Sequence, residues 1–393
     1  MMNIHSDYYN YGNMEGNTGF YPSVPAANTS QVIELKDAKD YNSEGIQKAQ
    51  LGQLEAAIAD FDLALRIQPD NAIFYYNRGL AKYELAQYES AIADFDLALR
   101  IQPDNYIIYF FLGNAKRQLG RIEEAIVDYD KVIDLQLDFV PVYNNRGNAK
   151  AELGQFDEAI DDFDEAISLD PDLPDSYTNR GLAKRQLGRI EEAIVDYDKA
   201  IDLQPDLVVA YNNRGNAKAE LGQFDEAIDD FDEAISIAPD LSEIYTNRGN
   251  VKAKLGELDE AIDDFDKTIL LDPRNMLAYN NRGNAKAELG QFDEAIDDFD
   301  EAISIAPDLV GIYSNRGIAK SQLGLYNEAI VDFDLAIRIQ PNNPTFHYNR
   351  GMTKLLLNQQ EGGERDLQTA LSLAEHNEKL RSKIENLLTK FSQ

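Results

Sequence analysis

The chain has no cysteine and no tryptophan, only three histidines, and about half as many Lys and Arg as Asp and Glu, 37 against 70. Without thiols there are no disulfides and no thiolate metal sites. His5, His347 and His376 show no metal-ligand spacing, so no metal and no cofactor is expected. No apolar run approaches the roughly 18 residues that a membrane span needs, and no membrane insertion is expected. The formal net charge of -33 opposes nucleic acid, which is bound by Lys and Arg that displace condensed counterions. The amino terminus lacks a basic segment followed by an apolar core, so no secretory signal is read there and a cytoplasmic protein is expected. Phosphate-cradling glycine motifs are missing too. A noncatalytic protein is the expectation.

Repetition is what the chain does have. The phrase YNNRGNAKAELGQFDEAIDDFDEAI runs from Tyr143 to Ile167 and returns unchanged from Tyr211 to Ile235 and from Tyr279 to Ile303. A single glycine sets the period: Gly45, Gly79, Gly113, Gly147, Gly181, Gly215, Gly249, Gly283, Gly317 and Gly351 lie 34 residues apart. Ten units therefore fill residues 38–377, and the near-identity of units four, six and eight points to duplication in blocks of two. Before them, residues 1–30 are rich in Tyr, Asn, Gly and Ser and read as a flexible tail, with a short tyrosine docking motif as the alternative.

Each unit reads as two helices. In the fourth, Asp138 is a candidate cap, and the first helix runs through Tyr143, Gly147 and Leu153 to a stop at Gly154. The second begins near Phe156, with Asp157 and Glu158 in its first turn, where carboxylates complement the helix dipole. Most units close with proline, Pro69 and Pro171 among them, which cannot continue a helix. Small residues at Gly147, Ala159 and Ala166 let the two backbones approach while Tyr143, Phe156, Ile160, Phe163 and Ile167 fill the space beside them. One unit cannot bury this stripe alone, but stacked neighbours can.

An aromatic at place 4 of the unit, Gly at 8, Ala at 20, an aromatic at 24, Ala at 27 and Pro at 32 together resemble the tetratricopeptide repeat family. In the sixth unit these are Tyr211, Gly215, Ala227, Phe231, Ala234 and Pro239. The resemblance covers residues 31–377 and implies an all-α, right-handed superhelical solenoid of ten helix-turn-helix repeats. It further implies that the first helices line a concave groove which holds peptides or proteins. The segment 378–393, with Leu380, Ile384, Leu387, Leu388 and Phe391 at helical spacing, reads as a C-terminal capping helix. The tenth unit before it is worn: His347 replaces the tyrosine, Gly363 an alanine and Glu375 the proline.

Two places depart from the family pattern. Place 7 is arginine in eight units (Arg78, Arg146, Arg180, Arg214, Arg248, Arg282, Arg316, Arg350), and place 11 is lysine in all ten. These like charges stack one helical turn apart and call for an opposite charge. Place 23, aspartate in every unit from Asp60 to Asp366, supplies it, and a run of ion pairs that fixes the stacking register is expected.

Candidate binding residues lie on the other side of the first helix. Place 6 is asparagine at Asn77, Asn145, Asn179, Asn213, Asn247, Asn281, Asn315 and Asn349, and places 5 and 9 add Asn144, Asn148, Asn212, Asn216, Asn280 and Asn284. An amide carries both donors and acceptors, so such an array suits the backbone of an extended segment. It resembles the asparagine array of O-linked N-acetylglucosamine transferases; the alternative is that these amides cap turns or face water. Tyr76, Tyr83 and Phe110, with Leu80 and Phe111, suggest an apolar, side-chain-selective pocket across units two and three, or else a repacked core. No unit has the place-5 lysine that the family's carboxylate clamp for chaperone tails would need.

The expected function is a noncatalytic protein–protein interaction scaffold or adaptor binding a protein or peptide segment. The alternatives are a targeting subunit of a separately encoded enzyme, or an assembly protein acting through an acidic convex face.

Overall fold

The computed structural model describes residues 36–375 and 377–391. The tail read at residues 1–30, with His5, and also His376, lies outside the described residues. Among the described residues there are 21 α-helices and no strand. Twenty of them form hairpins, from Ala38–Gln50 with Leu54–Ile67 to Pro344–Leu356 with Gln360–Leu373; Glu378–Phe391 follows. The chain divides into two compact halves, up to Leu203 and from Gln204. Within each half a hairpin packs through its second helix on the first helix of the next.

The fourth hairpin shows how its sequence folds. Its first helix spans Val140–Glu152, and Gly154 follows with φ near 75°, a left-handed conformation that stops the helix without strain. Its second helix spans Phe156–Leu169 with Asp157 and Glu158 in the first turn. Asp138 is not the cap. Phe139 holds that position without a side-chain bond, and the Asp138 carboxylate instead accepts from the Gln136 amide. The aspartate sits one residue too early for its oxygens to reach the helix's free N–H groups.

Close approach of the paired helices explains the period of glycines. A methyl group built on Gly147 would lie 2.7 Å from Cε1 of Phe163. Only hydrogen fits there, and the ring is completely buried. Proline is not what ends the second helices. The third hairpin has Leu137 at that place, yet its second helix still stops at Leu135.

The halves build their cores differently. In the first, one cluster runs from Ile46 to Ala166 and gathers Tyr76, Phe95, Phe110, Phe111 and Tyr129. In the second, the core is parcelled into small clusters around Phe231, Phe265 and Phe299, each ring flanked by alanine. The worn tenth hairpin is compensated: Leu355 fills the space left by Gly363, and Ile384 of the terminal helix is buried against Leu367 and Ala370.

Candidate functional site

A charge clip repeats along the hairpins. In the second, the Arg78 guanidinium donates to both oxygens of Asp94, Nε to Oδ2 at 2.8 Å and Nη2 to Oδ1 at 2.5 Å. Its Nη1 reaches back to Asp62 of the preceding hairpin at 2.6 Å. Lys82 completes the group, 2.7 Å from Asp94 Oδ2. Asp94 is only 2% exposed, a burial tolerable because its charge is matched by two cations. Burial alone would pull Arg78 down, but Asp94 and Asp62 outweigh it and hold the guanidinium above its ordinary value. The guanidinium also lies over the ring of Tyr75, 5.5 Å from its centre.

The same clip recurs at Arg146, Arg180, Arg248, Arg282, Arg316 and Arg350. The ion pairs expected at place 23 are present, and their second half, the aspartate at place 25, is new. A tyrosine tether adds to each joint in some hairpins: Tyr143, Tyr245 and Tyr313 donate to the carbonyls of Leu137, Pro239 and Pro307. His347 makes the same contact with Pro341 at 2.8 Å, so this replacement preserves the tether.

The third hairpin breaks the pattern. Leu112 stands where the arginine belongs, and it is buried. Asp128 is then held by Lys116 alone, at 2.6 Å. Burial pushes its carboxyl up to about 6 against the pull of Lys116, with Asp96 and Glu124 adding repulsion. Asp96, the place-25 carboxylate that an arginine would have met, is exposed and interacts with the Arg121 charge without a direct ion pair.

The asparagines fall into two groups. Most at place 6 donate from Nδ2 into the preceding hairpin: Asn77 to Asn42 (2.9 Å), Asn145 to Asn114 (2.8 Å), Asn247 to Asn212 (3.0 Å), Asn281 to Asn250 (2.8 Å) and Asn315 to Asn280 (3.2 Å). Asn349 reaches Ser314 Oγ at 3.5 Å. Asn280 in turn donates to Asn281 at 3.1 Å, so four amides from Asn315 to Asn250 form one relay. Asn77 is buried and the other place-6 amides are half-buried. Asn179 and Asn213 make no such bond. Asn144, Asn148 and Asn216 are half-buried and Asn284 is exposed, again without a side-chain bond.

The aromatic candidates are packed together. Tyr76 stacks near Phe95 and Phe111, and Phe110 meets Phe111 and Phe139 edge-on, with ring centres 5.4 and 5.1 Å away. Tyr76 and Phe110 are 6% and 5% exposed. Tyr83 is half-buried, edge-on to Tyr88 at 5.4 Å, and burial raises the pKa of its hydroxyl. Beside Tyr76 a cleft of about 570 Å³ opens between the second and third hairpins.

Profiles described as TPR repeat match residues 47–85, 113–154, 181–222 and 320–356. Those described as tetratricopeptide repeat match 140–173, 208–241, 242–275, 277–309 and 72–105. The chain belongs to the tetratricopeptide repeat family. Its structure is similar to that of a tetratricopeptide repeat protein from Parabacteroides merdae, at 22% identity over 65% of this chain and 99% of that one, with a TM-score of 0.50. It is also similar to the C-terminal part of a TPR repeat-containing protein from Cytophaga hutchinsonii, at 18% identity over 61% and 98%, with a TM-score of 0.51. MamA matches at 27% identity over 41% of this chain and 94% of that one, with a TM-score of 0.40. No curated protein matches. The tetratricopeptide repeats make this chain a protein–protein interaction scaffold, and among the described residues no helix is long and apolar enough to cross a membrane. No group of three or more His, Asp or Glu among those residues is placed to hold a metal ion.

Three sets of residues escaped the reading of the sequence. Asn42, Asn114 and Asn250 accept from place-6 amides but stand outside the repeated NN…N phrase that drew attention to the others. Thr246 pairs with Thr268, which replaces a packing alanine, at 3.1 Å. The place-25 aspartates are the third set: they stand in units one to nine, the tenth unit has Gln368 there, and Asp96 is followed by Leu112 in place of an arginine.

Proposed function

We propose that the first-helix face bearing places 5, 6 and 9 holds an extended polypeptide segment by its backbone, and that the protein is a noncatalytic adaptor. The observation that carries this reading is the fixed orientation of the place-6 amides. Each bonded Nδ2 uses one N–H on the preceding hairpin and keeps a second N–H, as in Asn145, Asn247 and Asn315. The carbonyl oxygens of these three receive no bond from another side chain. Groups held in place before the ligand arrives lose little freedom on binding, which favours affinity. Backbone recognition of this type is indifferent to most side chains of the guest.

The test is peptide selection from a displayed random library on the intact chain, followed by calorimetric titration of the selected peptides. Asn247→Ala with Asn281→Ala is expected to weaken binding about tenfold or more while circular dichroism stays unchanged. Undiminished affinity in that double variant would remove the asparagines from the binding site.

A further inference from the structure

The cleft between the second and third hairpins differs in chemistry from the amide-bearing face. Its volume of about 570 Å³ falls within the roughly 300–1,000 Å³ common for ligand sites. Tyr76, Ile107 and Ile108 are its buried lining, and the last residue of the helix Tyr88–Ile101 contributes Ile101, 40% exposed. Among its lining residues Asp104 alone carries a charge, and it is exposed. A mostly apolar hollow, with Gln102, Asn105 and the Asp104 carboxylate also in its lining, fits an apolar side chain flanked by cationic residues.

The charge balance of the whole chain supports the same conclusion. Acidic residues outnumber basic ones 70 to 37, and the place-7 arginines and place-11 lysines are largely committed to carboxylates within the fold. What the accessible surface can offer a partner is therefore mostly negative. The second and third hairpins share that sign, with eleven acidic residues against seven basic ones. Opposite charge around a desolvated apolar anchor gives both steering and affinity.

We propose that this cleft seats one bulky aliphatic or aromatic side chain of a partner polypeptide whose flanking residues are lysine or arginine. The proposal rests on the reading that the first-helix face holds an extended segment, and it assigns to the cleft the side-chain selectivity that the amides do not supply.

Two labelled peptides, GSKKFKKSG and GSKKSKKSG, titrated into the full chain by fluorescence anisotropy provide the test. The phenylalanine peptide is expected to bind at least about tenfold tighter. Ile101→Ser should abolish that preference, and Asp104→Lys should weaken both peptides severalfold; both sites are exposed, and circular dichroism checks that the helices are intact. Equal affinities, or no binding of either peptide, overturn the proposal. Tighter binding after Tyr8, Tyr9 and Tyr11 are replaced by serine would assign the cleft to the chain's own amino-terminal segment and also overturn it. Asn145→Ala with Asn179→Ala separates this idea from the one beneath it. A preference that persists while this variant changes nothing sinks the amide reading and leaves the cleft standing. Equal affinities that fall in this variant do the reverse.

Discussion

The third and eighth hairpins solve the same problem with different forces. In the eighth, Asp298 is buried under Arg282 and Lys286, and Arg282 also reaches Asp266 in the hairpin before. In the third, the arginine is gone, and Phe110, Phe111 and Leu112 carry the joint by apolar contact. The lesson is that a buried carboxylate is an asset only while its clip is complete. Where the clip is missing, the same aspartate becomes a cost that the aromatic core offsets.

The largest test of this contrast is removal of the carboxylate. Asp298→Ala strands two half-buried cations and should destabilise its hairpin by about 3–5 kcal/mol. Asp128→Ala should cost much less, because only Lys116 loses a partner and the Asp96 repulsion goes with it. Hydrogen exchange at amides 292–305 and 122–135 reads the two joints separately, and equal losses would break the comparison.

Protons sharpen it next, with opposite signs. Asp128 is raised in the folded state, so as pH rises from about 4 to 6 the unfolded chain loses its proton first and stability falls. The change is on the order of 2–3 kcal/mol, and Asp128→Asn should erase it. Asp366 behaves the other way: although burial opposes it, Arg350 and Lys354 lower its pKa. Its contribution is complete above the ordinary carboxylate value and is lost as the pH falls through the folded one. Exchange protection measured across pH 3–7 should therefore diverge between residues 122–135 and 360–373.

Two smaller effects concern backbone and packing. Gly283→Ala would place a methyl group 2.8 Å from Cε1 of Phe299, and should cost about 1–3 kcal/mol in urea unfolding. Ala86 has φ near 57° where most hairpins have a left-handed glycine, so Ala86→Gly should raise stability by about 1 kcal/mol. The smallest effect belongs to the exposed arm of the clip. Asp266→Ala should cost under about 1 kcal/mol and less still in high salt; a loss matching that of Asp298→Ala would show that exposure does not divide the two arms.

Much of this was legible before any coordinates. The glycine period gave the hairpins, since Gly147 and its counterparts face rings that admit no methyl group. The charged places announced a need for opposite charge, and Asp162 and its equivalents meet it. What stayed hidden was direction across the joint. Periodicity within one helix cannot say which neighbour a long side chain will reach, so the bond from Arg146 to Asp130 and the bond from Asn145 to Asn114 were out of view. The aromatic residues of hairpins two and three were equally ambiguous, because a ring at a groove place can turn inward once its neighbours leave space, as Tyr76 and Phe110 do.

The guanidiniums of Arg78, Arg146, Arg180, Arg248, Arg282, Arg316 and Arg350 each hold one carboxylate of their own hairpin and one of the hairpin before it. Copying whole hairpins therefore creates a seam at which an arginine again finds an aspartate already waiting. An array of this kind can lengthen or shorten by complete modules and leave no orphan charge behind, whereas excision of a fraction of a module would strand one.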